Sequence, residues 1–214
     1  EDAGSDGIIN PVSQPLTDYI LLGGRNKERF LIPVSDEIAP NPLDFRNWIK
    51  AEDTEDNIGR YEYVENGEVV SICGIDVSKY QGEIDWEQVK DSGVEYAIIR
   101  LGYRGMNEGT LELDPYYYDN VREAAAAGIK VGVYFFSQAK NQEEAIAEAE
   151  FVLENIKDYE ITYPVVFDTE EVTTYDARAN GLTRAERTDC CIAFCEKIRE
   201  AGYTPMIYAN TRYM

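Results

Sequence analysis

GVEYAIIRL at Gly93–Leu101, GIKVGVYFF at Gly128–Phe136 and GYTPMIYAN at Gly202–Asn210 share one pattern. In each, a glycine of the kind that ends helices precedes an apolar residue and then a strand-forming run. The first two glycines are 35 residues apart, and the third lies 74 further on, two units of about 37. A helix end that feeds a strand at this period is a βα repeat. Strands apolar on both faces belong in a parallel sheet. A barrel and a doubly wound sheet both fit. No GxGxxG or Walker sequence follows any of the strands, so nucleotide binding is unsupported.

The flanking sequence fills in the other units. Ser71–Val77 is an apolar run and reads as a buried strand. Asp85 can cap a short helix that Gly93 ends. Tyr96–Leu101 is the next strand, and Asp114-Pro115 reads as N-cap and first residue of a helix reaching Gly128. Lys130–Phe136 is a strand. Asn141-x-x-Glu144 opens a long helix with Ala145, Ile146, Ala149, Val152, Leu153 and Ile156 on one stripe. Pro164–Phe167 is a strand. Thr183-x-x-Glu186 caps a helix with Cys191, Phe194, Cys195 and Ile198 on one face, and Pro205–Tyr208 is the last strand.

Residues 1–70 read differently, as an N-terminal extension or small appended unit ahead of the strand–helix repeat at 71–214. They hold five of the eight prolines and carry 15 acidic against 6 basic residues, with weak hydrophobic periodicity. Short strand-like runs stand at Tyr19–Leu22 and Arg29–Val34, and Asp53–Asp56 reads as a solvated loop. The chain opens at Glu1 with neither a methionine nor a signal peptide, which reads as a processed product or a cut segment.

Composition removes whole classes of chemistry. The 214 residues carry 41 acidic and 20 basic side chains, a formal net charge of −21. Phosphate backbones need clustered cations, so no nucleic acid is expected as a partner. No apolar run approaches 20 residues, so no membrane span is expected. The chain has no histidine. Ser-His-Asp triads, Cys-His dyads and His-liganded zinc are therefore excluded, and acid–base work near neutral pH falls to carboxylates. Cys73 stands alone, while Cys190, Cys191 and Cys195 lack paired CxxC spacing and read as small buried hydrophobes.

Parallel α/β folds place their sites at the C-terminal ends of strands. The residues there are Asp76 after the first strand, Tyr103 after the second, Tyr134 and Phe136 in the third, Asp168 and Glu170 in the fourth, and Tyr208 in the fifth. Asp168 and Glu170 are i and i+2, so both point to one face, with Cβ atoms roughly 6–7 Å apart. Two carboxylates at such a separation suit glycoside hydrolysis, with one kept protonated by the charge of the other. Asp-x-Glu alone could equally be a polar strand end or a cation site. Asp76 as a third acid, and the aromatic faces of Tyr103, Tyr134, Phe136 and Tyr208, weigh toward a sugar.

GIDVSKYQGEIDW, YAIIRLGYRG, GVYFFSQA, YPVVFDTE and GYTPMIYAN, in that order over residues 72–214, resemble glycoside hydrolase family 25. These are the lysozymes, or N-acetylmuramidases, of bacteria and phages. The resemblance implies a TIM-barrel-like (β/α)5β3 barrel. It implies hydrolysis of the β-1,4 bond between N-acetylmuramic acid and N-acetylglucosamine in peptidoglycan glycan strands. It makes Glu170 the general acid/base, with neither metal nor organic cofactor needed. It has Asp168 orient or polarise a 2-acetamido group that can act as internal nucleophile, and Asp76 completing the acidic cluster. The family's last three strands have no counterpart before Met214, so the expected barrel is incomplete at its C-terminus. The substrate class implies a secreted or cell-surface protein, and a monomer is expected. A wall-binding module without turnover and an acidic adhesion protein are the competing readings, and the intact trio of acids favours an enzyme.

Overall fold

The computed structural model describes residues 19–23, 29–33, 42–52, 59–173 and 176–210. The acidic loop read at Asp53–Asp56 lies outside them. The chain divides into two units, Glu1–Asn47 and Trp48–Met214. In the first unit, β1 (Tyr19–Gly23) and β2 (Arg29–Pro33) pair antiparallel, with Tyr19 opposite Pro33 and Gly23 opposite Arg29.

The second unit begins with a three-stranded antiparallel sheet, β3 (Trp48–Lys50), β4 (Tyr61–Glu65) and β5 (Glu68–Val69). The turn between β4 and β5 is Asn66-Gly67, both at positive φ (53° and 84°). That is the two-residue turn whose twist matches antiparallel strands, and Asn-Gly is its preferred sequence. Tyr63 is buried and meets the Trp48 ring edge-on at 5.1 Å.

The βα repeat follows. Its elements are β6 (Gly74–Val77), α1 (Trp86–Asp91), β7 (Tyr96–Arg104), β8 (Leu111–Leu113), α2 (Tyr117–Ala126), β9 (Lys130–Phe136), α3 (Gln142–Ile156), β10 (Val165–Thr169), α4 (Arg184–Glu200) and β11 (Pro205–Ala209). Five strands are parallel neighbours in the order β6-β7-β9-β10-β11. That order never reverses. A doubly wound sheet needs a reversal, so of the two architectures open to the sequence the barrel-like one is present, as a half-barrel of parallel strands and helices.

The period of two along each strand divides the sheet. Ala97, Ile99 and Leu101, Val133 and Phe135, and Val165 and Phe167 face the helices in one continuous core. The helices answer with Val121, Ala149, Val152, Phe194 and Ile198, and Phe167 meets Phe194 at 5.0 Å between ring centres. The helix starts follow the local signals. Asp85 accepts from the Gln88 N–H, Asn141 from the Glu144 N–H, and Thr183 with Glu186 closes a reciprocal capping box.

Several local expectations are corrected. The first strand begins at Gly74, not Ser71. The α2 helix begins two residues past Pro115, because Asp114 Oδ2 is held by Arg100 Nε at 2.7 Å and by the Lys79 N–H at 3.0 Å. Asp114 is thus a tertiary anchor as well as a local turn acceptor. The short β8 folds back antiparallel on β7, with Leu113 opposite Gly102. A Cβ on Gly102 would stand 2.2 Å from the Glu112 carbonyl oxygen, so only glycine admits the hairpin this close. The α3 stripe is also amended: Ile146 is on the surface, and Glu148 is fully buried in the core-facing row.

Candidate active site

The residues of opposite parity on the same strands face away from the helices and line a cavity of about 460 Å³. Ile98 and Arg100 come from β7, Tyr134 and Phe136 from β9, Val166 and Asp168 from β10, and Met206 and Tyr208 from β11. Asp76 stands on the β6 side and Glu170 just past the end of β10. Register explains the convergence. Asp168 lies opposite Phe136 on one neighbour and Tyr208 on the other, and Arg100 lies opposite Tyr134. Ser78, Tyr80 and Gln81 close the β6 side. They form a 3-10 turn in which Ser78 and Gln81 cap each other reciprocally.

Six of the seven residues singled out from the sequence, Asp76, Asp168, Glu170, Tyr134, Phe136 and Tyr208, line this one cavity. Tyr103 does not. Its hydroxyl donates to Glu112 at 2.8 Å, and its ring lies beside Lys79 and Arg100. Arg100 was not anticipated. It is buried, its Nη2 lies 2.6 Å from Asp114 Oδ2, and its guanidinium sits 5.1 Å from the centre of the Tyr80 ring. Its signal was in the sequence: in YAIIRL it has the parity of Ile98, which puts a cation on the face that carries the acids.

Asp168 is the most perturbed member. It is 8 % exposed. Burial pushes its carboxyl up to about 7, the charges of Glu170 and Asp76 add to this, and Arg100 pulls the other way. Its Oδ1 is buried and has no hydrogen-bond partner among the described residues. A buried acceptor without a donor is costly, and a donor arriving on a ligand relieves that cost. Burial pushes the Tyr134 hydroxyl up to about 12. The Tyr208 hydroxyl is raised by the Glu170 charge first and burial second.

Three carboxylates and aromatic walls at the C-terminal end of a parallel sheet are the equipment for a sugar and a proton transfer. The sequence carrying them, residues 75–214, matches the model of glycosyl hydrolases family 25. The chain belongs to that family. It is 37 % identical over 84 residues to lysozyme M1 of Streptomyces globisporus, covering 39 % of this chain and 26 % of the lysozyme. It is similar to the family 25 glycosyl hydrolase of Bacillus anthracis at 26 % identity and a TM-score of 0.56, covering 67 % of this chain and 62 % of that one. The modular autolysin LytC of Streptococcus pneumoniae shares the fold at a TM-score of 0.59 and 23 % identity, over 92 % of this chain and 43 % of that one. The chain spans less than half the length of the curated relatives it matches.

Proposed function

We propose that the protein is a peptidoglycan hydrolase that cleaves the β-1,4 bond between N-acetylmuramic acid and N-acetylglucosamine at the cell surface. The observation that carries this reading is Asp168. It is a buried carboxylate with an unpartnered oxygen, two residues from Glu170 on the same cavity wall, in a family 25 chain. The five parallel strands then stand as the (β/α)5 part of a (β/α)5β3 barrel. In this reading residues 71–214 are the catalytic part of the chain and 1–70 an N-terminal extension or small appended unit.

In the proposed mechanism Glu170 gives its proton to the leaving glycosidic oxygen as the C1–O bond breaks. Asp168 Oδ1 accepts a hydrogen bond from the 2-acetamido N–H, which raises electron density on the acetamido oxygen. That oxygen forms a bond to C1 and yields a bicyclic intermediate. Glu170, now a carboxylate, takes a proton from water, which opens the intermediate at C1. Such substrate assistance is a recognised departure from the two-carboxylate scheme. Tyr134, Phe136 and Tyr208 supply faces for sugar rings.

The raised value of Asp168 gives the reading a pH signature. The anion is the better acceptor, and it forms as pH rises through about 7. The mechanism also needs a proton on Glu170, so kcat/KM for wall clearing by the full-length protein should pass through a maximum, its acidic limb following Asp168 with an apparent pKa near 7. Asp168→Asn should be severely impaired at every pH. A profile flat from pH 5 to 9, or full activity in Asp168→Asn, would remove Asp168 from this role. Stability moves the opposite way. A carboxyl whose pKa is raised on folding favours the fold while protonated, and this contribution is lost as pH rises through about 7.

A further inference from the structure

The turn after β6 carries a cation that the proposed mechanism does not use. The Lys79 ammonium lies 5.6 Å from the centre of the Tyr80 ring and 5.5 Å from that of Tyr103. Arg100 approaches the same two rings from 5.1 and 5.7 Å. The four side chains form one patch of alternating cations and aromatic faces. Within it Arg100 is neutralised by Asp114 at 2.6 Å. Lys79 has no carboxylate within ion-pair distance among the described residues. The nearby Glu112 accepts from the Tyr103 and Thr110 hydroxyls. Tyr80 lines the cavity and is 78 % exposed, so the patch lies at the cavity mouth and is open to solvent.

The base of Lys79 is fixed. Its own N–H donates to buried Asp114, and the turn is closed by the Ser78 N–H to Gln81 Oε1 bond at 2.8 Å. Only the flexible stem can move, so the ammonium sweeps a small volume above the Tyr80 and Tyr103 rings.

Charge decides what it could meet. The cavity itself holds Asp76, Asp168 and Glu170, in a chain of net charge −21. An anionic substituent on a bound glycan is repelled from those acids, and exposed charges are felt only within ~8 Å at physiological salt. Its favourable position is against a nearby unpaired cation.

We propose that Lys79 is a specificity residue that recognises, at the cavity mouth, a carboxylate carried by the bound muramyl glycan. This rests on the peptidoglycan reading. The carboxylate is either the lactyl group of an unsubstituted muramyl unit or an acid of its attached peptide. Lys79 selects acid-bearing glycans over neutral N-acetylglucosamine polymers.

The test compares the full-length protein with Lys79→Met and Lys79→Arg on three substrates. These are intact peptidoglycan, glycan strands stripped of peptide by an amidase, and neutral N-acetylglucosamine oligomers. Lys79→Met should lose about 5- to 20-fold in kcat/KM on acid-bearing glycan, through KM, with kcat unchanged. Lys79→Arg should recover most of it. Both variants should match the parent on neutral oligomers, whether the readout is cleavage or binding. A loss on stripped strands assigns the lactyl carboxylate, and a loss confined to intact peptidoglycan assigns the peptide. Equal loss on neutral and acidic glycans, or no loss on either, overturns the proposal. Absence of wall cleavage by the parent protein would instead overturn the peptidoglycan reading beneath it.

Discussion

Glu170→Gln should fold normally, bind glycan, and clear walls about 10²–10⁴-fold more slowly than the parent. Glutamine keeps the shape of the side chain and gives no proton to the leaving oxygen. Glu170 follows β10 and is only partly buried, so the fold loses little. Binding should persist because the aromatic walls and Arg100 are untouched. Clearing by Glu170→Gln at the parent rate would assign the acid elsewhere, and Asp76 would be the next residue to examine. Loss of glycan binding together with hydrolysis would make Glu170 a binding group.

The second large effect concerns stability. Arg104 Nε meets Glu148 Oε1 at 2.7 Å, and both side chains are buried. Arg104 also donates to the carbonyls of Gly109 at 2.7 Å and Glu144 at 2.9 Å. Arg178 adds a two-pronged pair with the Glu144 carboxylate at 2.8 and 2.9 Å, and its own N–H reaches Met106 O at 3.1 Å. The network thereby joins the loop after β7, the start of α3 and the segment that follows Glu170. Arg104→Met leaves Glu148 buried without its cation and removes a charged donor from the Gly109 and Glu144 carbonyls. The expected loss is about 3–5 kcal/mol, or a Tm lower by roughly 6–20 °C.

Burial already pushes Glu148 up to about 7 against the pull of Arg104. Without Arg104 the charged form is worse still. The deficit should therefore be smaller at pH 5.5, where Glu148 takes up a proton, than at pH 8.5. Chemical denaturation at the two pH values measures both. A deficit under about 1 kcal/mol, or one that shrinks as pH rises, would contradict this account of the pair.

The parts of the fold that were legible in the sequence are those governed by local rules. The Asp85, Asn141 and Thr183 caps and the period-two strands need no distant partner to be read. The six cavity residues were legible for the same reason, since parity and strand ends place them. What escaped was set by partners far along the chain. Asp114 beside Pro115 reads as a helix cap, and Arg100 with the Lys79 N–H, 35 residues away, draws it into the core. Glu148 reads as a surface residue of α3 until Arg104, 44 residues away, is seen to meet it. Leu111–Leu113 is too short for its alternation to show, and Tyr103 at a strand end was carried to the rim by that hairpin. The Asn66-Gly67 turn was readable and lay in a stretch whose weak periodicity hid it.

In the proposed reaction the cavity of Asp76, Asp168 and Glu170 cleaves muramyl bonds. The most direct test digests purified peptidoglycan with the full-length protein, reduces the products with borohydride and identifies the new ends. New ends that are reduced N-acetylmuramic acid, absent from a Glu170→Gln digest, are the predicted result. Reduced N-acetylglucosamine ends, or no new ends from the parent protein, would contradict it.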